Sequence, residues 1–263
     1  MEERLAILYR LKKKFGTDED AILLHKEKIL QEIESLQRME EDRNKLEAEI
    51  EGLEKEIAKK ADALSAKRNA ASLVLGSKIS EILASLGMSK ARFEISVQVK
   101  SKDAQNKLCG PYGADDIEFL ISPNLGEPLK ELSKIASGGE LSRVMLAIKT
   151  VLAHADRVET LVFDEIDTGI GGEVALAVGK HLVEIGKMKQ IFCITHLASI
   201  AVRADNHLRV AKIVEGGRTL TTVSMIKNEV RREEIARMLA GDSAGTAALA
   251  HADELLETYR KRG

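Results

Sequence analysis

The sequence predicts an α/β lobe of mixed strands and flanking helices, preceded by a long coiled-coil helix. Three observations carry this. A seven-residue apolar repeat runs through the first third of the chain. "TLVFD" and "QIFCIT" are short, continuously apolar segments separated by a helical pattern, which implies two parallel strands with a helical crossover. "RFEISVQV", "IEFLIS", "HLRVAKIV" and "TLTTVSMI" are alternating or β-rich segments bounded by turn residues. The expected division is a coiled-coil segment over residues 1–88 and a lobe over residues 89–263.

The first segment opens with a short helix, "LYRLKKKF", and a turn at Phe15-Gly16, with Thr17 or Asp18 as the cap of the next helix. Ile22, Ile29, Leu36, Ile50, Ile57 and Leu64 then share one heptad position, broken only by Arg43. Leu46 and Leu53 add a second seam, and Glu, Lys, Gln and Arg fill the flanks. Such a seam needs a partner helix, because alone it stays wet. In the lobe, Cys109 to Gly113 and Ser122 to Pro128 read as loops. Gly139 to about Ala153 reads as a helix with Leu141, Val144, Met145, Ile148 and Leu152 on its apolar face. Val174 to Ile185 reads as the crossover helix. "EGGR" joins the last two strands as a hairpin, and helices near Arg231–Ala240 and Thr246–Arg260 close the chain. Apolar strands of the "TLVFD" kind belong in a sheet covered on both faces.

Composition narrows the function classes. A length of 263 residues allows one or two domains. A net charge of −2 with 31% charged residues excludes a globally basic nucleic-acid binder and leaves room only for a local basic strip. Lys12 to Lys14, Lys59-Lys60 and Arg260 to Arg262 are expected as solvated basic faces or tails. Aromatic residues make up 3% and tryptophan is absent, as a long charged helix would explain. Cys109 and Cys193 lack metal-ligand spacing and read as reduced thiols of a cytosolic protein. Neither a signal-peptide pattern nor a membrane-spanning run is present in the sequence, so no membrane partner is expected.

Ligands of open parallel sheets sit beyond the carboxyl ends of the strands. Asp164 and Glu165 end one apolar strand and His196 follows the other, so the topology brings them to one edge. A carboxylate at Asp164 suits Mg²⁺, held directly or through water. Glu165 is placed to orient or deprotonate an attacking water. His196 is placed to donate a hydrogen bond to a phosphate oxygen as charge develops. Ser137-Gly138-Gly139-Glu140 opens a helix: Ser137 caps it, the glycines admit a close approach, and the exposed amides favour an anion. The bland alternatives are a strand end that begins a turn and an ordinary Ser-capped helix. The main phosphate-cradling loop, Gly-x-x-x-x-Gly-Lys-Ser/Thr, does not occur, and "GDSAGT" lacks both the spacing and the lysine.

These residues resemble a known family. "SGGELSR" is similar to the signature motif of ABC-type ATPases, "LVFDE" to their Walker B strand with its catalytic glutamate, "IDTGIGG" to their D-loop and "CITH" to their switch histidine. All four fall in the family's order, and a coiled coil leading into such a head is the pattern of SMC-like proteins. "ASGGELSRVMLAIK", "FDEIDTGIGG", "THLASIAVRADNH" and "LGMSKARFEI" resemble bacterial SMC-like proteins of DNA double-strand-break repair. The resemblance implies the carboxy-terminal lobe of an ABC-type head, working with ATP and Mg²⁺. Its implied partners are the amino-terminal Walker A half of the same head, a second head and, through the longer protein, DNA. It implies Asp164 as the Mg²⁺ carboxylate, Glu165 as the base, His196 as the γ-phosphate sensor and Asp167 as a D-loop residue at the seam between heads. Ser137, Gly138, Gly139 and Glu140 would act on the nucleotide of the opposite head. This chain alone is expected to be inactive, and its location to be the cytoplasm, on the nucleoid. "THLASI" departs from related sequences, which often carry Gln or Pro-Gln after the leucine, but it keeps His196. A non-hydrolysing adaptor on the same fold is the alternative; the heptads argue against a transporter subunit.

Overall fold

The computed structural model describes residues 2–16, 18–100, 109–135, 137–215, 218–241 and 245–260. It divides into two units: one takes its described residues from 2–64 and 109–114, the other from 65–100 and 115–260.

In the first unit, helix α1 spans Glu2–Phe15 and leads into α2, which spans Glu19–Ser85 and continues into the second unit. The link is tight. A Cβ on Gly16 would stand 2.7 Å from that of Ala21, so glycine is required there. Asp18 caps α2 by accepting the Ala21 N–H at 2.8 Å; the alternative cap, Thr17, lies outside the described residues. Ion pairs at four-residue spacing line the flanks of α2: Glu34–Arg38 at 3.7 Å, Arg43–Glu47 at 3.5 Å, Glu51–Lys55 at 2.6 Å and Glu56–Lys60 at 2.7 Å. Each adds only a few tenths of a kcal/mol, roughly 0.3–0.5. Ile29, Leu36, Ile50, Ile57 and Leu64 are exposed. The expected seam therefore exists and is open. In the Cys109–Gly113 loop, Gly110 and Gly113 exchange backbone hydrogen bonds.

In the second unit, the end of α2 and the turn after it supply core: Ile79, Leu83 and Leu86 are fully buried. Strand β1 (Arg92–Val99) pairs antiparallel with β2 (Asp115–Ser122), and β3 (Lys130–Glu131) pairs with β2 before a short 3₁₀ turn. Phe93 and Ile121 face each other across the first pair and are buried. Asp115 anchors β2 to α2 through the Ser65 hydroxyl and Arg68 Nη1, the latter at 2.7 Å. These two donors hold its carboxyl below the usual range.

Helix α3 spans Gly138–Leu152, β4 Thr160–Phe163, α4 Gly172–Gly186 and β5 Gln190–Cys193. Strands β4 and β5 are parallel, with Leu161 opposite Ile191 and Phe163 opposite Cys193. Leu161 and Phe163 pack on Val144, Leu146 and Ile148 of α3 and on Val178, Leu182 and Ile185 of α4 in one core. The other face differs from the sequence expectation of cover on both sides. Val162, Phe192 and Ile194 are 66%, 45% and 59% exposed. An apolar run states that the side chains need cover, without stating which chain supplies it. The face of α3 also differs from its expected set. Val144 and Ile148 are buried, but Arg143, Leu146 and Ala147 join them, whereas Leu141, Met145 and Leu152 are only half-buried.

A short helix, α5 (Ala198–Ala201), follows β5. Strands β6 (His207–Glu215) and β7 (Arg218–Ile226) form the expected antiparallel hairpin; its turn glycines, 216 and 217, lie outside the described residues. Helices α6 (Asn228–Ala240) and α7 (Thr246–Arg260) pack with α5 around Val202, Ile235, Ala236 and Ala252. Arg231 caps α5 through the carbonyls of Ala201, Val202 and Ala204. Arg232 holds Asp253 of α7 with two hydrogen bonds of 2.6 and 2.9 Å. The strands thus lie in three small sheets, β1-β2-β3, β4-β5 and β6-β7.

Candidate active site

The site is built at the carboxyl end of the β4–β5 pair. The ladder extends one step further, where the Ile194 N–H reaches the Phe163 carbonyl at 2.9 Å, so the two loops leave the sheet side by side. Asp164 and Glu165 begin the first loop, and Thr195 and His196 the second. Asp164 is exposed, and its Oδ1 accepts the Glu165 N–H at 2.9 Å. Glu165 is exposed and sits at φ 55°, in the left-handed region that non-glycine residues avoid. Such a conformation costs on the order of 1–3 kcal/mol and persists only where its surroundings impose it. Here the Glu165 carbonyl accepts the Thr168 N–H at 3.1 Å, closing the turn.

Helix α3 imposes much of that turn. Ser142 Oγ donates to the Asp164 carbonyl at 2.7 Å. Arg143 Nη1 donates to the carbonyls of Thr168 at 3.1 Å and Ile166 at 3.4 Å. Arg143 is buried, and that burial lowers its basicity against an opposing pull from Glu140. The start of the helix is equally close. A Cβ on Gly138 would come within 2.6 Å of Glu165 Oε2, and one on Gly139 within 3.0 Å of the Glu165 carbonyl. Ser137 is the expected cap, but its Oγ accepts the Glu140 N–H at a long 3.4 Å. Glu140 is half-buried in the first turn.

Asp167 behaves differently from Asp164 and Glu165: it is buried. Its Oδ2 accepts the Thr195 hydroxyl at 2.6 Å and the His196 N–H at 2.8 Å, and lies 2.9 Å from His196 Nδ1. The His196 ring itself is largely exposed. Burial, with Asp167 and Asp164 nearby, pushes the Cys193 thiol up to about 12, so it stays protonated and unreactive.

All eight residues singled out in the sequence therefore gather around one loop cluster: Ser137, Gly138, Gly139 and Glu140 at the start of α3, Asp164, Glu165 and Asp167 after β4, and His196 after β5. Sequence reasoning missed Ser142, Arg143 and Thr195, which hold the loops. Arg143 did leave a signal: it lies four residues after Gly139 and four before Ala147, on an otherwise apolar stripe.

The donor set suits a magnesium ion bound with its substrate. Asp164 Oδ2 makes no hydrogen bond among the described residues, which contain no group of three His, Cys, Asp or Glu able to enclose a metal. Mg²⁺ is commonly held by one or two carboxylates, with water and phosphate oxygens completing its shell.

A long seam-bearing helix followed by a lobe with a loop cluster beyond a parallel strand pair is the fold of an SMC head domain. A solved Smc head domain with a coiled coil and joint from Pyrococcus yayanosii superposes with a TM-score of 0.51, at 19% identity, over 89% of this chain and 48% of that one. No protein-family model matches the chain. Curated relatives are closer in sequence. The DNA repair protein RecN of Treponema pallidum is 46% identical over 256 residues, covering 97% of this chain and 45% of the relative. RecN of Deinococcus radiodurans is 41% identical, over 97% of this chain and 44% of its own length. RecN of Bacillus subtilis is 38% identical, over 98% and 46%. The chain belongs to the RecN family, and spans a little under half the length of these relatives.

Proposed function

We propose that this chain is the carboxy-terminal lobe of an SMC-like ATPase head that acts in DNA double-strand-break repair and recombination. The observation that carries this is the gathering of the α3 start, the Asp164-Glu165 turn and His196 at one end of the β4–β5 pair. In this reading Asp164 holds Mg²⁺ through its unengaged oxygen. The ion, when bound, neutralises charge on the nucleotide phosphates. Glu165 orients and deprotonates the attacking water. His196 faces the terminal phosphate of the same head. Ser137, Gly138, Gly139 and Glu140 present the amino end of α3 to the nucleotide of a second head, where unpaired amides favour an anion.

The first partner is the amino-terminal half of the same head, which would supply the phosphate-cradling loop that this sequence lacks. The uncovered face of β4–β5 supports it. Val162, Phe192 and Ile194 form an apolar strand surface of the kind normally buried in a parallel sheet. A cleft lined by Leu141, Met145 and Val162 continues that surface on the α3 side. The second partner is another head, and the third is DNA, reached through the longer protein. No described helix is long and apolar enough to cross a membrane.

The test is Glu165→Gln in the full-length protein. ATP binding is expected to persist while hydrolysis slows by about 10²–10⁴-fold, the usual contribution of a general base. Unchanged turnover would place the base elsewhere.

A further inference from the structure

We infer that Asp167 is a positioning residue for His196: it clamps the loop after β5 and fixes the ring proton on Nδ1, so that Nε2 is the atom turned outward. This rests on the reading of His196 as the phosphate-facing residue, but its structural half stands apart from it.

One oxygen does the clamping. Asp167 Oδ2 meets the Thr195 hydroxyl, the His196 backbone N–H and His196 Nδ1 at 2.6, 2.8 and 2.9 Å. Thr195 Oγ1 in turn accepts the Leu197 N–H at 3.0 Å, which fixes the start of α5. The carboxylate side chain is only 4% exposed, whereas that of His196 is 72% exposed. An exposed ring would ordinarily sample several rotamers; this one is held at its inner nitrogen by a buried partner.

The chemistry follows from what a carboxylate can do. An ionised carboxylate only accepts, so the nitrogen facing it carries a proton. Neutral His196 is therefore the Nδ1–H tautomer, with a lone pair on Nε2. In that form Nε2 cannot donate to a phosphate oxygen. It donates only when the ring is imidazolium, a form that buried Asp167 compensates in charge. Asp167 thereby decides both where the outer nitrogen points and what it offers.

The experiment has two arms. Nitrogen-15 NMR of histidine-labelled chain reads the tautomer of His196 directly, assigned by its loss in His196→Gln. The Nδ1–H form is expected for the neutral ring, and Asp167→Ala, which removes the accepting oxygen, is expected to shift the ring toward Nε2–H. An Nε2–H ring in the unsubstituted chain would overturn the inference, even if Asp167→Ala failed to fold. So would a tautomer that Asp167→Ala leaves unchanged. The second arm measures ATP turnover of the full-length protein. Asp167→Ala is expected to lower kcat at least about tenfold with little change in KM, and to add nothing in a His196→Ala background. A further loss in that background would show that Asp167 acts independently of His196, and would also overturn the inference. If the tautomer shifts as expected while both Asp167→Ala and His196→Ala retain full turnover, the positioning stands and the catalytic reading of His196 falls.

Discussion

At residue scale the two signature glycines are not equivalent. Both are required by the same neighbour, Glu165, but by different parts of it. At Gly138 an added methyl meets Oε2, the far end of a flexible side chain, at 2.6 Å. At Gly139 it meets the Glu165 carbonyl at 3.0 Å and Thr168 Cβ at 3.1 Å, atoms held by the closed turn. Gly138→Ala should therefore leave the stability of the chain within about 1 kcal/mol, since alanine also favours the helix. It should nevertheless displace the Glu165 carboxylate and reduce turnover in the full-length protein. Gly139→Ala should cost about 1–3 kcal/mol, because the overlap must be relieved by moving backbone. Urea denaturation of the two variants measures the contrast; equal loss would show that the turn is softer than its hydrogen bonds suggest. The sequence carried the identity of these residues but not this distinction. "SGGE" reads as a helix start open to an outside anion, and only the fold reveals that the chain's own carboxylate already lies there.

At element scale, what was legible depended on periodicity. The heptads of α2, the hairpin of β6 and β7 and the crossover of α4 follow from local spacing, and each is found close to its expected bounds. Asp164, Glu165 and His196 could be brought to one edge because strand termini are a property of topology. The Asp167–His196 contact could not be read, because it joins residues 29 apart through the register of a parallel pair. Nor could the attachment of the hairpin to α6, which is polar and partly buried. His207 at the start of β6 lies near Arg231 and Glu234 of α6, and its Nδ1 is buried without a hydrogen-bond partner among the described residues. Burial and then Arg231 lower its pKa from the usual 6.5, against an opposing pull from Glu234. A histidine with a depressed folded-state pKa binds its proton more readily when unfolded. Stability is thus unaffected above about pH 7 and falls as pH drops through the unfolded value near 6.5. Urea denaturation at pH 7.5 and 5.5 should show this loss, and His207→Gln should reduce it. A pH difference identical in the variant would assign the loss to other groups, such as His181, which burial also depresses.

At the scale of the whole molecule, the proposed function gives the open seam of α2, the open face of β4–β5 and the lack of a phosphate loop in this sequence one explanation, a second half of the head. The chain alone is accordingly expected neither to bind ATP tightly nor to hydrolyse it. Nucleotide affinity depends on amides and a lysine arranged around the phosphates, and this sequence offers instead two exposed carboxylates, Asp164 and Glu165. Adding the amino-terminal half as a separate chain should restore Mg²⁺-dependent hydrolysis, provided the two halves of the coil reassemble. It should also raise the melting temperature of this chain, because Val162, Phe192 and Ile194 would lose their water. Each kcal/mol gained is worth about 2–4 °C in a domain of this size. Ser137→Arg, which sets a bulky cation at the amino end of α3, should abolish the recovered turnover while leaving nucleotide binding to the other half intact. That separation follows from the proposed geometry: α3 completes the neighbour's site, whereas Asp164 and Glu165 complete their own. Titration calorimetry and phosphate release measure the two quantities independently. Turnover by this chain alone, in a preparation where Glu165→Gln abolishes it and contaminating ATPases are thereby excluded, would show that the phosphate grip lies within these residues after all. Loss of nucleotide binding in Ser137→Arg would instead place the signature and the cradle in one and the same site.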